Sequence, residues 1–147
     1  MYRITLHKEE DGRGYPSCSS PEKVVKIFYD MVQKDDPREH FVIIAASGSL
    51  EALGAMEASV GGSVSCTIDP RVVLKVALDT FARGVILVHN HPTSNKCIPS
   101  QADINETERA KSALATIGCN LFDHVIIAGS EAYSYANEQT FPLDKIV

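Results

Sequence analysis

His89 and His91 stand two residues apart at the end of the apolar run Val85-Ile86-Leu87-Val88, and Asp103 follows twelve residues after His91. Successive side chains on a strand alternate faces, so the two imidazoles point one way and Asn90 between them points the other. Pro92 has no backbone N–H and fixes its own φ, which ends the strand and passes the chain into a loop. Ser100-x-x-Asp103 then reads as a helix start, with Ser100 as N-cap and Asp103 in the first turn, where the helix dipole favours a carboxylate. Two neutral imidazoles and one carboxylate meeting at a strand tip are three ligands that Zn²⁺ accepts. Three protein ligands with a fourth place for water is the catalytic rather than the structural arrangement. Each motif alone has a plain alternative, since a His pair can simply end a strand and Ser-x-x-Asp caps helices without any metal. The combination favours the metal, because it brings every group to one site.

The elements that must hold these groups follow from hydrophobic periodicity. Tyr2, Ile4 and Leu6 alternate with Arg3, Thr5 and His7 as in a half-buried strand, and 8–19 is a loop. Ser20-Pro21-Glu22 opens a helix, and Val24, Val25, Ile27, Phe28, Met31 and Val32 form its buried stripe to about Lys34. Past Asp35-Asp36-Pro37-Arg38, Glu39 stands at the entrance of an apolar strand over 39–46. Ser47-Gly48-Ser49 turns the chain into a hairpin. Residues 50–60 fit neither period and are assigned to a strand because that keeps the sheet continuous. A short strand is expected over 63–67. Asp69-Pro70 starts a second helix running to about Ala82, with Val72, Val73, Val76, Ala77 and Phe81 facing inward, and Arg83-Gly84 ends it. The helix from Ser100 is expected to reach Ile117 and close at Gly118. Strands over 121–128 and 132–136 flank a turn at Gly129-Ser130-Glu131, and 137–147 is a polar tail, loosely packed or disordered. This order predicts one α/β domain over 1–147, with three α-β-α layers around a mixed sheet.

At 147 residues, 44% hydrophobic and 22% charged, the chain has the length and composition of one soluble domain with a real core. No apolar run reaches membrane-spanning length, and the first ten residues lack the apolar core of a signal peptide, so the expected compartment is the cytoplasm. Cys18, Cys66, Cys97 and Cys119 form no Cys-x-x-Cys pair, which predicts free thiols. The net charge of −5, with no cluster of Lys and Arg, argues against a dedicated nucleic-acid surface.

His89-Asn90-His91-Pro92, Pro99-Ser100-Gln101-Ala102-Asp103 and Asp123-His124-Val125-Ile126-Ile127, with Tyr133-Ser134 after them, resemble the JAMM signature of the JAB/MPN metalloproteins. The resemblance is closest to the bacterial RadC-like branch and runs over about residues 20–135. It implies the three-layer JAB/MPN fold, related in shape to cytidine deaminases, and a zinc ion on His89, His91 and Asp103 with water in the fourth position. It also implies that Glu39 takes a proton from that water and that Ser100 donates a hydrogen bond to the developing oxyanion. Glu51 and Glu57 are the alternatives to Glu39. The chain departs from that branch at Thr93-Ser94 and in the eleven residues between His91 and Asp103, one more than the usual pattern. The longer loop contains Cys97, and in a competing reading its thiolate closes the coordination sphere and silences the site.

The activity implied is zinc-dependent hydrolysis of an amide, peptide or isopeptide bond in a peptide or protein substrate. The alternative is a non-catalytic scaffold on the same fold, in a branch that carries a DNA-repair label. A zinc deaminase is excluded, because the chain lacks both His-x-Glu and Pro-Cys-x-x-Cys. His40 and His124 read as structural residues, hydrogen-bonded at strand ends.

Overall fold

The computed structural model describes residues 14–61, 68–144 and 146. Expected strands over 2–7 and 63–67 lie outside the described residues. Ser20 caps α1 (Pro21–Met31) by accepting from the Lys23 N–H, and Val24, Val25, Ile27 and Phe28 are its buried face. The helix stops short of Lys34 because Val32 is already extended, with φ −118° and ψ 132°. β1 (Glu39–Ala46) and β2 (Ala52–Gly61) form the expected antiparallel hairpin. α2 (Pro70–Asp79) is capped by Asp69, β3 (Gly84–Asn90) carries His89, and α3 (Gln101–Ala115) follows the loop after Pro92. β4 (Asn120–Ala128), β5 (Glu131–Ser134) and β6 (Gln139–Pro142) complete the chain.

The six strands form one mixed sheet in the order β2-β1-β3-β4-β5-β6, with β3 and β4 paired in parallel and their described neighbours antiparallel. A parallel pair needs a crossover, and α3 supplies it. α1 packs on one face, against Val42, Ile44, Ile86, Val88, Val125 and Ile127. α2 and α3 cover the other, where Val73, Val76, Ala77, Ala110 and Leu114 meet Phe41, Ile43, Val85 and Leu87. The result is the three-layer α/β architecture with helices on both faces. β1 and β3 read as unbroken apolar runs because neither face of either strand meets water. No helix among the described residues is long and apolar enough to cross a membrane.

Three expectations need correction. Met31, the last residue of α1, lies off its buried stripe and is 39% exposed. Phe81 does not face inward: α2 ends at Asp79, Phe81 takes φ 53°, and its side chain is 85% exposed. The left-handed turn that releases the chain into β3 swings the ring off the helical stripe. Residues 139–143 are also not a loose tail, because β6 pairs with β5 and Leu143 is buried in the core with Val125 and Ala132.

Candidate metal centre

Strand direction gathers the chemistry at one end of the sheet. β3 delivers His89 and then His91 at its C-terminal tip. β1 runs antiparallel to it with Phe41 opposite His89, so the start of β1 at Glu39 reaches the same tip. Phe41 and His89 share a face, as directly opposed residues do. Their rings stack at 5.1 Å with only 9° between planes, which gives the imidazole a fixed apolar platform. α3 begins beside that tip. Its N-terminus carries a complete capping box: Ser100 Oγ accepts from the Asp103 N–H, while the Asp103 carboxylate accepts from the Ser100 N–H.

His89 Nε2 lies 2.9 Å from His91 Nε2 and 3.1 Å from Asp103 Oδ1, and His91 Nε2 lies 3.8 Å from Asp103 Oδ2. Ligands about 2.0–2.1 Å from one tetrahedral ion sit roughly 3.3 Å from each other. The contacts lie close to that value, with Asp103 meeting His89 through Oδ1 and His91 through Oδ2, so two imidazoles and a carboxylate of the kind zinc accepts border one place. The carboxylate suits a cation electrostatically as well. Burial by itself would raise the Asp103 carboxyl, but the hydrogen bond and charge of His89, with both Ser100 donors, hold it well below the usual carboxylate range.

Among the described residues, the group whose single ligand atoms all lie within 4.8 Å of one another is Glu39, His89 and His91, without Asp103. The two carboxylates differ in surroundings. Asp103 is buried and pinned by two Ser100 hydrogen bonds of 2.7 Å. Glu39 is half-buried and borders a pocket of about 300 Å³ that is also lined by Arg38, Gly61, His91, Pro92 and Ser94. A pinned carboxylate suits a ligand, and one bordering an open pocket suits proton transfer. The other two acids are placed elsewhere: Glu51 bonds Ser49 in the hairpin turn, and Glu57 bonds His40 Nδ1 at 3.0 Å.

Ser100 stands where expected, next to Asp103, but its hydroxyl hydrogen is directed at Asp103 Oδ2 rather than at open space. Cys97 is turned into the core: its side chain is buried against Ile126, Ala128 and Tyr133, and burial pushes its thiol up, which disfavours the thiolate a metal would need. His40 is structural as read, buried between Asp36 and Glu57.

Three contributors were missed by sequence reasoning. Asn90 faces away from the ligands and brackets Glu39: its Oδ1 accepts from the His40 N–H at 2.7 Å, and its Nδ2 donates to the Arg38 carbonyl at 3.1 Å. His124 lies in the middle of β4 rather than at a strand end, fully buried, with Nε2 2.8 Å from His89 Nδ1. Desolvation keeps its imidazole well below the ordinary pKa, hence neutral. Thr107, one helical turn after Asp103, places its hydroxyl 2.7 Å from His124 Nδ1. The usable signals were a histidine inside an otherwise apolar strand and the Asp-x-x-x-Thr spacing, which puts both residues on one face of α3.

The RadC-like JAB domain family matches residues 18–140. Relatives include a UPF0758 protein of Thermotoga maritima, 36% identical over 133 residues, or 90% of this chain and 58% of the relative. Another, from Coprothermobacter proteolyticus, is 31% identical over 124 residues, 82% of this chain and 52% of the relative. A third, from Rubrobacter xylanophilus, is 38% identical over 114 residues, 78% of this chain and 49% of the relative. The chain thus spans about half the length of the curated relatives it matches.

Proposed function

Because the chain belongs to the RadC-like JAB domain family, we propose that it is a zinc-dependent hydrolase of the JAMM type, cleaving an amide, peptide or isopeptide bond in a peptide or protein substrate. Bound by His89, His91 and Asp103, Zn²⁺ supplies a Lewis acid and lowers the pKa of water towards about 7. The Glu39 carboxylate takes a proton from the attacking water as the oxygen–carbon bond forms. It returns that proton to the amine nitrogen as the carbon–nitrogen bond breaks, work worth roughly 10²–10⁴-fold. The pocket beside Glu39 and His91 receives the scissile group. Ser100 orients Asp103 at rest. Its hydroxyl turns from Oδ2 to a substrate carbonyl oxygen as charge develops there, while the Ser100 N–H keeps the carboxylate in place.

What supports this reading is the convergence of two imidazoles and a pinned carboxylate at one strand tip, with a second, unpinned carboxylate on the adjoining pocket. The test combines metal analysis with a screen of peptide and isopeptide libraries. The expected result is about one zinc per chain, lost in His89→Ala. Glu39→Gln retains the zinc and loses hydrolysis. A wild-type protein that takes up no zinc refutes the metal centre, and one that takes up zinc but hydrolyses nothing favours the scaffold reading.

A further inference from the structure

We propose that His124 and Thr107 hold His89 in the one tautomer whose Nε2 carries no proton, so that a lone pair is already directed at the metal position. This rests on the reading of His89 as a ligand and extends it to residues that touch no metal. The argument is a proton count along one buried chain of contacts. Thr107 Oγ1 lies 2.6 Å from the Asp103 carbonyl oxygen and 2.7 Å from His124 Nδ1. A carbonyl cannot donate, and two oxygens that close repel unless a proton lies between them, so the single Thr107 hydroxyl hydrogen goes to the carbonyl. His124 Nδ1 must then be the donor to Thr107.

His124 is fully buried, and its two ring nitrogens are occupied by Thr107 and His89. Its surroundings therefore hold no anion in contact to balance an imidazolium, and the neutral ring leaves Nε2 as an acceptor. The 2.8 Å contact is then a hydrogen bond from His89 Nδ1–H to His124 Nε2, so the neutral His89 ring has its lone pair on Nε2. That nitrogen faces Asp103 Oδ1 at 3.1 Å and His91 Nε2 at 2.9 Å, beside a carboxylate that attracts whichever cation lies between them, proton or metal ion.

The chain also closes on itself. It starts at one ligand, His89, passes through β4 and ends on the backbone of another ligand, Asp103, one turn before Thr107. His124 and Thr107 are thus positioning residues that tie the strand ligand to the helix ligand. Partners of this kind commonly set metal affinity by ten- to a hundredfold. The imidazole chain replaces the carboxylate or backbone carbonyl that more often receives the second nitrogen of a metal-ligating histidine.

The test is long-range ¹H–¹⁵N correlation on metal-free protein at pH 8, joined to zinc titration against a competing chelator. The expected result is the Nδ1–H form at both His89 and His124. Zinc affinity should fall ten- to a hundredfold in His124→Leu and about tenfold in the near-isosteric Thr107→Val. It should return to within about threefold of wild type in His124→Gln, whose amide can accept from His89 and donate to Thr107. An Nε2–H form at His89, or wild-type affinity in folded His124→Leu and Thr107→Val, overturns the proposal. Thr107→Val carries the affinity test if His124→Leu fails to fold. Wild-type zinc binding judges the ligand reading separately, since the NMR result is obtained without metal.

Discussion

Replacing Asn90 with Ala removes the clamp that sets the start of β1. Two hydrogen bonds disappear, one donated by the His40 N–H to Asn90 Oδ1 and one donated by Asn90 Nδ2 to the Arg38 carbonyl. At about 0.5–1.5 kcal/mol each, they are together worth about 1–3 kcal/mol. The His40 N–H is part-buried, and leaving it without its acceptor adds about 1 kcal/mol or more. The expected loss is about 3 kcal/mol, read from urea unfolding of metal-free protein with an unchanged m-value. Asn90→Asp keeps the acceptor and loses only the donor, so its cost should be about 1 kcal/mol. Because Asn90 faces away from His89 and His91, zinc affinity should stay within about threefold in both variants. Glu39 sits between the two clamped peptide groups, so the hydrolytic rate should fall about tenfold in Asn90→Ala, a misplaced base costing rate rather than metal. A stability change below 0.5 kcal/mol, within the range of an ordinary surface substitution, would refute this account, as would loss of zinc equal to that of His89→Ala.

Other expectations follow from the same contacts. His124 has a depressed pKa, so between its folded value and the unfolded value near 6.5 the unfolded chain binds the extra proton. Stability is then lost as pH falls below about 6.5, at up to about 1.4 kcal/mol per unit from this group. Unfolding curves of metal-free wild type and His124→Gln should therefore diverge between pH 6.5 and 5 and run parallel above pH 7.5. Cys97→Ala should leave zinc affinity within twofold in a chelator titration while costing about 1–2 kcal/mol in unfolding, because the sulfur fills space beside Ile126 and Ala128. Gly84→Ala should lower stability by about 1–3 kcal/mol, since its Cβ would collide with the Phe122 ring, and Gly84→Ala/Phe122→Leu should recover part of that in the same assay.

The features readable in the sequence were those that local chemistry decides. Ser20, Asp69 and Ser100 each stand before a helix as side-chain caps, and all three accept from a backbone N–H two or three residues on. The apolar runs of β1 and β3 are long because both faces are covered, and no tertiary knowledge was needed to find them. The failures came where a distant neighbour decides. Phe81 fits the helical stripe of α2, yet one left-handed residue turns it out to water. Gln139–Pro142 has four residues and no alternation to speak of, and is a strand only because β5 offers it an edge. His124 looked like polar termination because nothing local tells a histidine at a strand end from one whose two nitrogens are both spoken for by side chains 17 and 35 residues away.

The site follows from β3 having neighbours of opposite direction. An antiparallel partner brings its beginning to the tip of β3, which is why Glu39 arrives with its backbone still free to be clamped by Asn90. A parallel partner brings its interior to the same level, with Leu87 opposite His124 and His89 opposite Ile126, so the residue that meets His89 from β4 lies deep among apolar side chains. One side of the histidine pair is therefore open to a pocket and the half-buried Glu39 carboxylate, and the other is buried and holds a chain of hydrogen-bonded side chains. The proposed hydrolysis uses both sides: a carboxylate bordering a pocket, and a histidine held by fixed neighbours. A sheet parallel throughout would bury both neighbours, and one antiparallel throughout would leave no crossover helix to carry Asp103 back to the tip. The mixed sheet supplies the open side and the buried side within one strand's width.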